Sequence, residues 1–541
     1  MSTKSTMMDF PLSLPHMLER IGLYFPSVEV VSRMPDKSLH RTNYLEIQQR
    51  SKKLASALTN AGVKKGDCVA TLMWNHYAHL ECYMGVPCTG AVLHTLNLRL
   101  SPDDIAYIVG HAEDKILVVD DVLLPLYNQI KDKVSFDKVV VVPLAGEAMP
   151  EGCVNYEDFL NTGSADFRYP EIEENDALGM CYTSGTTGRP KGVVYSHRST
   201  VLHSMSEALD SSLAINQHDV VTPVVPMFHA NAWGLPYTSV MVGAKLVFPG
   251  PHLDAECLMD LYAQEQVTLS AGVPTIWMAI KQALEAEPKR WKTAPNMRMA
   301  VGGAAIPESL FRVFDSFDMK IIQAWGMTET GPLASIGLLK NNMMDLSKDE
   351  QYQIRVKQGL PLPFVEVRLV DDEGVQQPWD GIEQGEVQVR GPWVTGGYHK
   401  EGSQPDKFSA DGWLRTGDVA TIDSEGFIKL TDRTKDLVKS GGEWISSVDL
   451  ENAIMDHPDI IEAAVIAVAH PKWDERPLAA IVVKEGVSLG KEDVHSFIRD
   501  KFHKTWLPDA VEVVSAIPKT STGKFMKKEL RKLYEGWVWQ D

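Results

Sequence analysis

Apolar residues in the first half of the chain recur with two alternating periods. Between residues 43 and 61, Leu54, Ala55, Leu58 and Ala61 return at the spacing of one helical face, and Gly62 supplies the usual terminator. The apolar run from Cys68 to Met73 then predicts a strand. Ser101-Pro102-Asp103-Asp104 offers an N-cap hydroxyl, a proline at the first helical position and an acid at the third, so a helix is expected from there to about Ala112. Ile116 to Val119 and Val139 to Val142 are continuous apolar runs, suited to parallel strands covered on both faces. This alternation predicts an α/β fold with a large N-terminal domain built on two βα-type sheets.

Past about residue 360 the pattern shifts to short strands punctuated by glycine and proline, namely Val365 to Val370, Gly385 to Val389 and Gly426 to Leu430. They predict a small antiparallel β-barrel subdomain. From Lys435 onward the chain reads as a compact α+β unit: helix Ser447 to Met455, strands Ala463 to Val468 and Leu478 to Val483, and helix Lys491 to Lys501. The expected division is an N-terminal domain over 1–432 and a mobile C-terminal lid over 433–541, hinged near 435.

Composition narrows the function without naming it. A chain of 541 residues exceeds one ordinary core, in keeping with more than one domain. Its formal net charge of −19 disfavours an extended nucleic-acid surface or docking on anionic lipid, so any phosphate site must be a local positive focus. Six cysteines lie in the first half with no C-x-x-C pair, which points to buried reduced thiols rather than a zinc site or a disulfide framework. Neither a secretory h-region nor a membrane-length apolar run is evident, and the expected setting is the cytoplasm.

Candidate chemistry concentrates in Tyr182 to Gly192, which reads Tyr-Thr-Ser-Gly-Thr-Thr-Gly-Arg-Pro-Lys-Gly. Gly185, Gly188 and Gly192 allow backbone N–H groups close to an anion, Thr183, Ser184, Thr186 and Thr187 supply hydroxyl donors, and Lys191 supplies charge. A triphosphate suits this grip. The string is not a Walker A motif, because Pro190 stands where that motif needs glycine.

Four further strings follow in order: Gln323-Ala324-Trp325-Gly326-Met327-Thr328-Glu329, Trp413-Leu414-Arg415-Thr416-Gly417-Asp418, Asp432 to Glu443, and Pro518-Lys519-Thr520-Ser521-Thr522-Gly523-Lys524. Together with the first loop they resemble the ordered motifs of the AMP-forming adenylating enzymes. Acyl-CoA synthetases, peptide-synthetase adenylation domains and luciferases belong to that superfamily. Within it, the likeness is to bacterial medium- and long-chain fatty-acid CoA ligases.

The resemblance implies a reaction in two halves: ATP and a carboxylic acid give acyl-AMP and pyrophosphate, then CoA displaces AMP. It implies Mg²⁺ held by Ser184 and Glu329, with Thr328, Glu329 and Lys524 catalytic. Gly302-Gly303-Ala304, Gln323, Trp325 and Gly326 would border adenine, and Asp418 would accept from the ribose hydroxyls with Arg433 beside it. Lys435 would be the hinge, and Lys439, Gly441, Gly442 and Trp444 would meet nucleotide or CoA according to the lid's position. His229, Ala230, Asn231 and Trp233, with Met327 and Pro332, would shape the acyl pocket, and a homodimer is implied.

Several of these residues admit plainer structural readings: Glu329 as a helix N-terminal acid, Trp325 as core, Asp418 as a turn residue, Lys524 as a solvated lysine and His229 as a structural histidine. Two other functions stay open, a CoA ligase for short methylthio or aromatic acids and a nucleotide-binding sensor without turnover. Lys524 speaks against the sensor, which has no use for a lysine placed for adenylation.

Overall fold

The computed structural model describes residues 5–183, 189–440, 443–519 and 525–539. The chain divides into two compact units, one of Met1–Ser270 with Met327–Pro332 and Gly397–Gly402, the other of Ala271–Gly326, Leu333–Gly396 and Ser403–Asp541.

In the first unit a seven-stranded sheet runs in the order Val154–Asn155, Lys138–Val142, Asp114–Asp120, Cys68–Leu72, Val92–Thr95, Ala177–Tyr182, Gly192–Ser196. All its pairs are parallel except the last, in which Ala177–Tyr182 turns back on Gly192–Ser196. The predicted phosphate loop therefore joins two antiparallel strands at one edge of a parallel sheet. Helices Tyr77–Gly85 and Pro102–Ala112 make the crossovers between parallel strands. Ser101 caps the second as its sequence requires, its Oγ accepting from the Asp104 N–H at 3.1 Å. A second set of strands in this unit pairs Glu29–Arg33 with Leu39–Asn43 antiparallel, and Lys245–Phe248 in parallel with both Glu29–Arg33 and Val220–Pro223.

The helix expected over 43–61 spans Tyr44–Asn60, with Leu54, Ala55 and Leu58 buried. Ala61 is exposed instead, because the helix ends one residue earlier and Ala61 serves as its C-cap. The six cysteines are free, five of them buried.

In the second unit, after helix Pro274–Ala286, a βαβ turn pairs Met297–Val301 and Met319–Gly326 in parallel around helix Glu308–Ser316. An antiparallel meander follows, Glu366–Val370, Gly385–Arg390, Leu414–Ile422, Ile428–Arg433. The expected antiparallel subdomain is present, with its pairing in linear order; among the described residues its two edge strands do not pair with each other. Gly426, expected to open the last strand, sits in the preceding turn at φ +86°.

The C-terminal sheet of this unit is antiparallel through Glu443–Ile445, Val438–Ser440, Asp474–Val483 and Ile460–His470, with Ala510–Val513 added in parallel on Asp474–Val483. Its long strands are apolar at successive positions because both faces are covered. Ala463 and Val465 join the core with Leu450 and Ile454 on one face, whereas Ala464 and Ile466 join that with Ile517 and Leu530 on the other. The helix expected from Lys491 to Lys501 stops at Ile498. Among the described residues no helix is long and apolar enough to cross a membrane.

Candidate active site

The phosphate loop is closed at its neck by its own backbone. Thr183 N–H donates to Lys191 C=O at 2.9 Å, and Lys191 N–H returns to Thr183 Oγ1 at 3.2 Å. Thr183, expected as a phosphate donor, thus also frames the loop; Ser184, Gly185, Thr186, Thr187 and Gly188 lie outside the described residues. Gly192 is required at the exit, since a Cβ there would lie 3.1 Å from both the His399 Cβ and the Tyr182 ring. Tyr182 hydroxyl and His111 Nδ1 stand 2.7 Å apart, fixing the entry strand.

Sequence reasoning missed two tyrosines here. Tyr398 donates its hydroxyl to Glu329 Oε1 at 2.9 Å, while Lys191 Nζ stands 5.1 Å from its ring centroid. One aromatic side chain therefore touches the two charged residues assigned to phosphate and metal. Tyr195, fully buried, donates to Thr328 C=O at 2.7 Å and fixes the short 3₁₀ turn Thr328–Thr330. The sole local signal for Tyr398 is the glycine pair Gly396-Gly397 before it, and Tyr195 carries none.

Glu329 is buried, and among the described residues no lysine or arginine forms an ion pair with it; its Oε1 is held by a neutral phenol. A buried carboxylate so placed suits a hard cation. Ser184, its expected co-ligand, lies outside the described residues.

The residues assigned to the nucleoside gather in the second unit. Trp325, next to last in strand Met319–Gly326, is only 6% exposed, its indole N–H donating to Asp418 Oδ2 at 2.9 Å. Arg433 Nε pairs with Asp418 Oδ1 at 2.9 Å, so Trp325, Asp418 and Arg433 meet at one carboxylate. Gln323 Nε2 donates to Ala304 C=O at 3.3 Å, tying that strand to the turn in which Gly303 takes φ +92°. Gln323 Oε1 is buried with no partner among the described residues, an acceptor that an exocyclic amine would satisfy.

The expected acyl residues, also in the first unit, lie on a backbone the sequence gives no reason to anticipate. Ala230, Asn231, Ala232 and Trp233 take φ +43°, +55°, +49° and +57°, a left-handed turn made without glycine until Gly234. Such a conformation costs about 1–2 kcal/mol for each residue bearing a Cβ, so its surroundings must hold it. Before the turn, Asn75 accepts from Met227 N–H at 2.7 Å and donates to the carbonyls of Pro223 and Val225, while Tyr83 donates to Met227 C=O. Cys181 Sγ lies 3.5 Å from Asn231 Oδ1. After it, Gly234 lies against His203 and Glu207, where a Cβ would come within 2.7 Å of the imidazole. His203 and Glu207 are both fully buried: burial lifts the Glu207 carboxyl to about 8 and drives the His203 imidazole down to about 3. Both shifts favour the neutral form at pH 7. His229 and Trp233 are half-buried and Pro332 is buried.

In the C-terminal part of the second unit, strands Val438–Ser440 and Glu443–Ile445 pair Lys439 with Trp444, and Lys439 Nζ stands 4.3 Å from the indole centroid. Gly441 and Gly442 lie outside the described residues, as do Thr520 to Lys524. The flanks of the latter segment are joined, Lys519 bridging to Phe525 and Met526 N–H donating to Pro518 C=O at 2.7 Å. Helix Lys527–Leu533 then anchors through Lys527, whose Nζ lies 2.7 Å from Glu451 and is hydrogen-bonded to Ser447. Asp432, next to the expected hinge, accepts from Ser447 N–H at 2.7 Å, and Lys435 itself is exposed.

With this geometry in place, the sequence profile for AMP-binding enzyme matches residues 25–399, and that for the AMP-binding enzyme C-terminal domain matches residues 449–524. The chain belongs to the AMP-binding enzyme family. Among the relatives of this family member, the long-chain-fatty-acid–CoA ligase of Thermus thermophilus is 48% identical over 534 residues, covering 98% of this chain and 97% of that protein. The medium-chain-fatty-acid–CoA ligase of Ectopseudomonas oleovorans is 43% identical, with 98% and 97% covered. The 3-methylmercaptopropionyl-CoA ligase of Ruegeria lacuscaerulensis is also 43% identical, with 97% and 98% covered. The solved anthranilate CoA ligase AuaEII in complex with anthranoyl-AMP superposes with a TM-score of 0.87 at 24% identity, over 97% of this chain and 98% of that one, and shares the fold. The AMP-binding fold here is thus mixed α/β with a large N-terminal and a smaller C-terminal domain, as expected.

Proposed function

We propose that this AMP-binding enzyme is an ATP- and Mg²⁺-dependent fatty-acid CoA ligase. The observation that carries the reading is Tyr398, which joins Lys191 of the phosphate loop to the buried carboxylate Glu329. In the first half-reaction the acid's carboxylate oxygen attacks the α-phosphorus of ATP, the Pα–O bond to the β-phosphate breaks, and pyrophosphate leaves. Lys191 meets phosphate charge; Gln323 Oε1 accepts from adenine; Asp418, positioned by Trp325 and Arg433, turns to the ribose hydroxyls. Glu329 and Ser184 would hold Mg²⁺, which supplies charge neutralisation across the phosphates when bound. Lys524 bridges the attacking carboxylate and the α-phosphate.

In the second half-reaction the sulfur of CoA attacks the acyl carbon, the C–O bond to phosphate breaks, and AMP leaves. We assign the acid-binding and ATP-binding work to residues 1–432 and a swinging lid to 433–541, with Lys435 as hinge and Lys439, Gly441, Gly442 and Trp444 meeting nucleotide or pantetheine by turns. His229, Ala230, Asn231, Trp233, Met327 and Pro332 line the acyl side. The free thiols support a cytoplasmic setting, and a homodimer is the assembly that sedimentation velocity should reveal.

The similarity to a 3-methylmercaptopropionyl-CoA ligase favours a second reading, a short methylthio acid as substrate. Purified enzyme with Mg²⁺, ATP, CoA and a panel of straight-chain, aromatic and methylthio acids decides between them. Acid-dependent exchange of labelled pyrophosphate into ATP supports ligase chemistry, and the acid with the highest kcat/KM identifies the substrate. ATP binding with no exchange under any acid overturns the ligase reading in favour of a sensor.

A further inference from the structure

Glu207 ends helix His197–Glu207, fully buried, where a negative charge would oppose the helix dipole; among the described residues no lysine or arginine pairs with it, and the His203 imidazole 4.0 Å away is held neutral by burial. An apolar side chain of similar volume would be the more stable occupant of such a place. Its Oε2 is hydrogen-bonded to Thr238 Oγ1, which in turn lies 3.2 Å from Gly234 C=O, and its Oε1 has no partner among the described residues. Thr238 stands one turn into helix Leu235–Val242, which begins where the left-handed run ends. When the acid carries its proton, its O–H donates to Thr238 Oγ1, freeing the threonine proton for the Gly234 carbonyl. Two donors, the acid and the threonine hydroxyl, thus run in line to the Gly234 carbonyl directly after the strained turn. The same carboxyl group blocks that turn sterically, since a Cβ on Gly234 would meet Glu207 Oε2 at 3.0 Å.

We propose that Glu207, acting through Thr238 and Gly234, is a positioning residue that sets where the left-handed turn holds Trp233 and thereby determines acyl-chain selectivity. This rests on the reading that the turn lines the acyl pocket. Scaffolding alone would not need a polar group here, nor would its loss distinguish one acid from another.

The test measures kcat/KM by pyrophosphate release for straight-chain acids of roughly four to sixteen carbons, a range over which each added CH₂ changes burial. Glu207→Leu and Thr238→Val should each move the ratio between a long and a short acid by about tenfold, in the same direction, with KM for ATP unchanged. Glu207→Gln, whose amide still donates to Thr238, should keep the native ratio. If Glu207→Leu does not fold, Thr238→Val decides. A uniform loss across all acids, or a native ratio in folded Thr238→Val, overturns the proposal. Trp233→Ala separates the two levels: a native ratio in that variant removes the pocket reading itself, whereas a shifted ratio in Trp233→Ala with none in Thr238→Val removes the role of Glu207 alone.

Discussion

The neck of the phosphate loop and the turn at Ala230–Trp233 belong to the same unit and are built from different materials. The neck closes on one backbone hydrogen bond and one backbone-to-hydroxyl hydrogen bond between Thr183 and Lys191, and its one demanding position, Gly192, is filled by the residue that position calls for. The turn places four residues with side chains in the left-handed region and is braced by Asn75, Tyr83 and Glu207, remote in sequence, and by Thr238 just beyond it. A site that must grip the same triphosphate in every turnover can be written as a contiguous string. On the proposed reading, a site that must fit one acid among many is set by outside bracing instead.

The largest effect expected breaks the nucleotide side alone. Lys524→Ala should lower acyl-AMP formation by about 10²-fold or more while sparing thioester formation from supplied acyl-AMP. Equal loss in both partial reactions would remove the role assigned to Lys524. Tyr398→Phe sharpens the same side by deleting one hydroxyl. With the bond to Glu329 gone and the ring beneath Lys191 kept, the Mg²⁺ concentration for half-maximal adenylation should rise about tenfold. Unchanged Mg²⁺ dependence would reduce Tyr398 to packing.

On the acyl side, Trp233→Ala should shift the chain-length optimum by an amount worth about 0.8 kcal/mol for each CH₂ newly admitted. ATP–pyrophosphate exchange across the acid series measures it.

The last effect concerns stability rather than turnover. Folded Glu207 has its carboxyl at about 8 against an ordinary value of 4.5, so the folded chain keeps a proton that the unfolded chain gives up. The stability from this group is complete below about pH 4.5 and is lost as pH rises through 8. His203, 4.0 Å away and driven to about 3 from an ordinary 6.5, adds a slope of opposite sign below about pH 6.5, which the native chain and Glu207→Gln share and which cancels in their comparison. Urea unfolding at several pH values should therefore show Glu207→Gln losing less stability than the native chain between about pH 5 and 8, by on the order of 3 kcal/mol. Parallel curves would mean that Glu207 is already ionised.

The same contrast explains what the sequence discloses. Parallel strands such as Lys138–Val142 are apolar throughout because both faces are covered, and Ser101-Pro102 announces its helix through local capping chemistry; such features are legible in a few consecutive residues. So are the loop at 182–192 and the Trp325 and Asp418 motifs, whose partners the structure brings within 2.9 Å of each other. Tyr398 was illegible because its partner Glu329 lies 69 residues away and no periodicity marks the pair. The left-handed turn was illegible because Ala-Asn-Ala-Trp has no preference for that conformation; it is imposed from outside. Ala61 was misplaced by a single residue at a helix end, where the spacing of apolar positions no longer reports a face.

The cysteines carry a practical consequence. Burial lifts the Cys68 thiol to about 12 and those of Cys82, Cys88 and Cys181 upward as well, so at neutral pH these sulfurs hold their protons inside the protein. A colorimetric disulfide reagent added to a working reaction will consequently count coenzyme sulfhydryl over a small protein background from the half-buried Cys153, and turnover can be followed by its disappearance. Added with denaturant instead, the same dye registers six equivalents per chain, which makes it a gauge of how much protein has come apart.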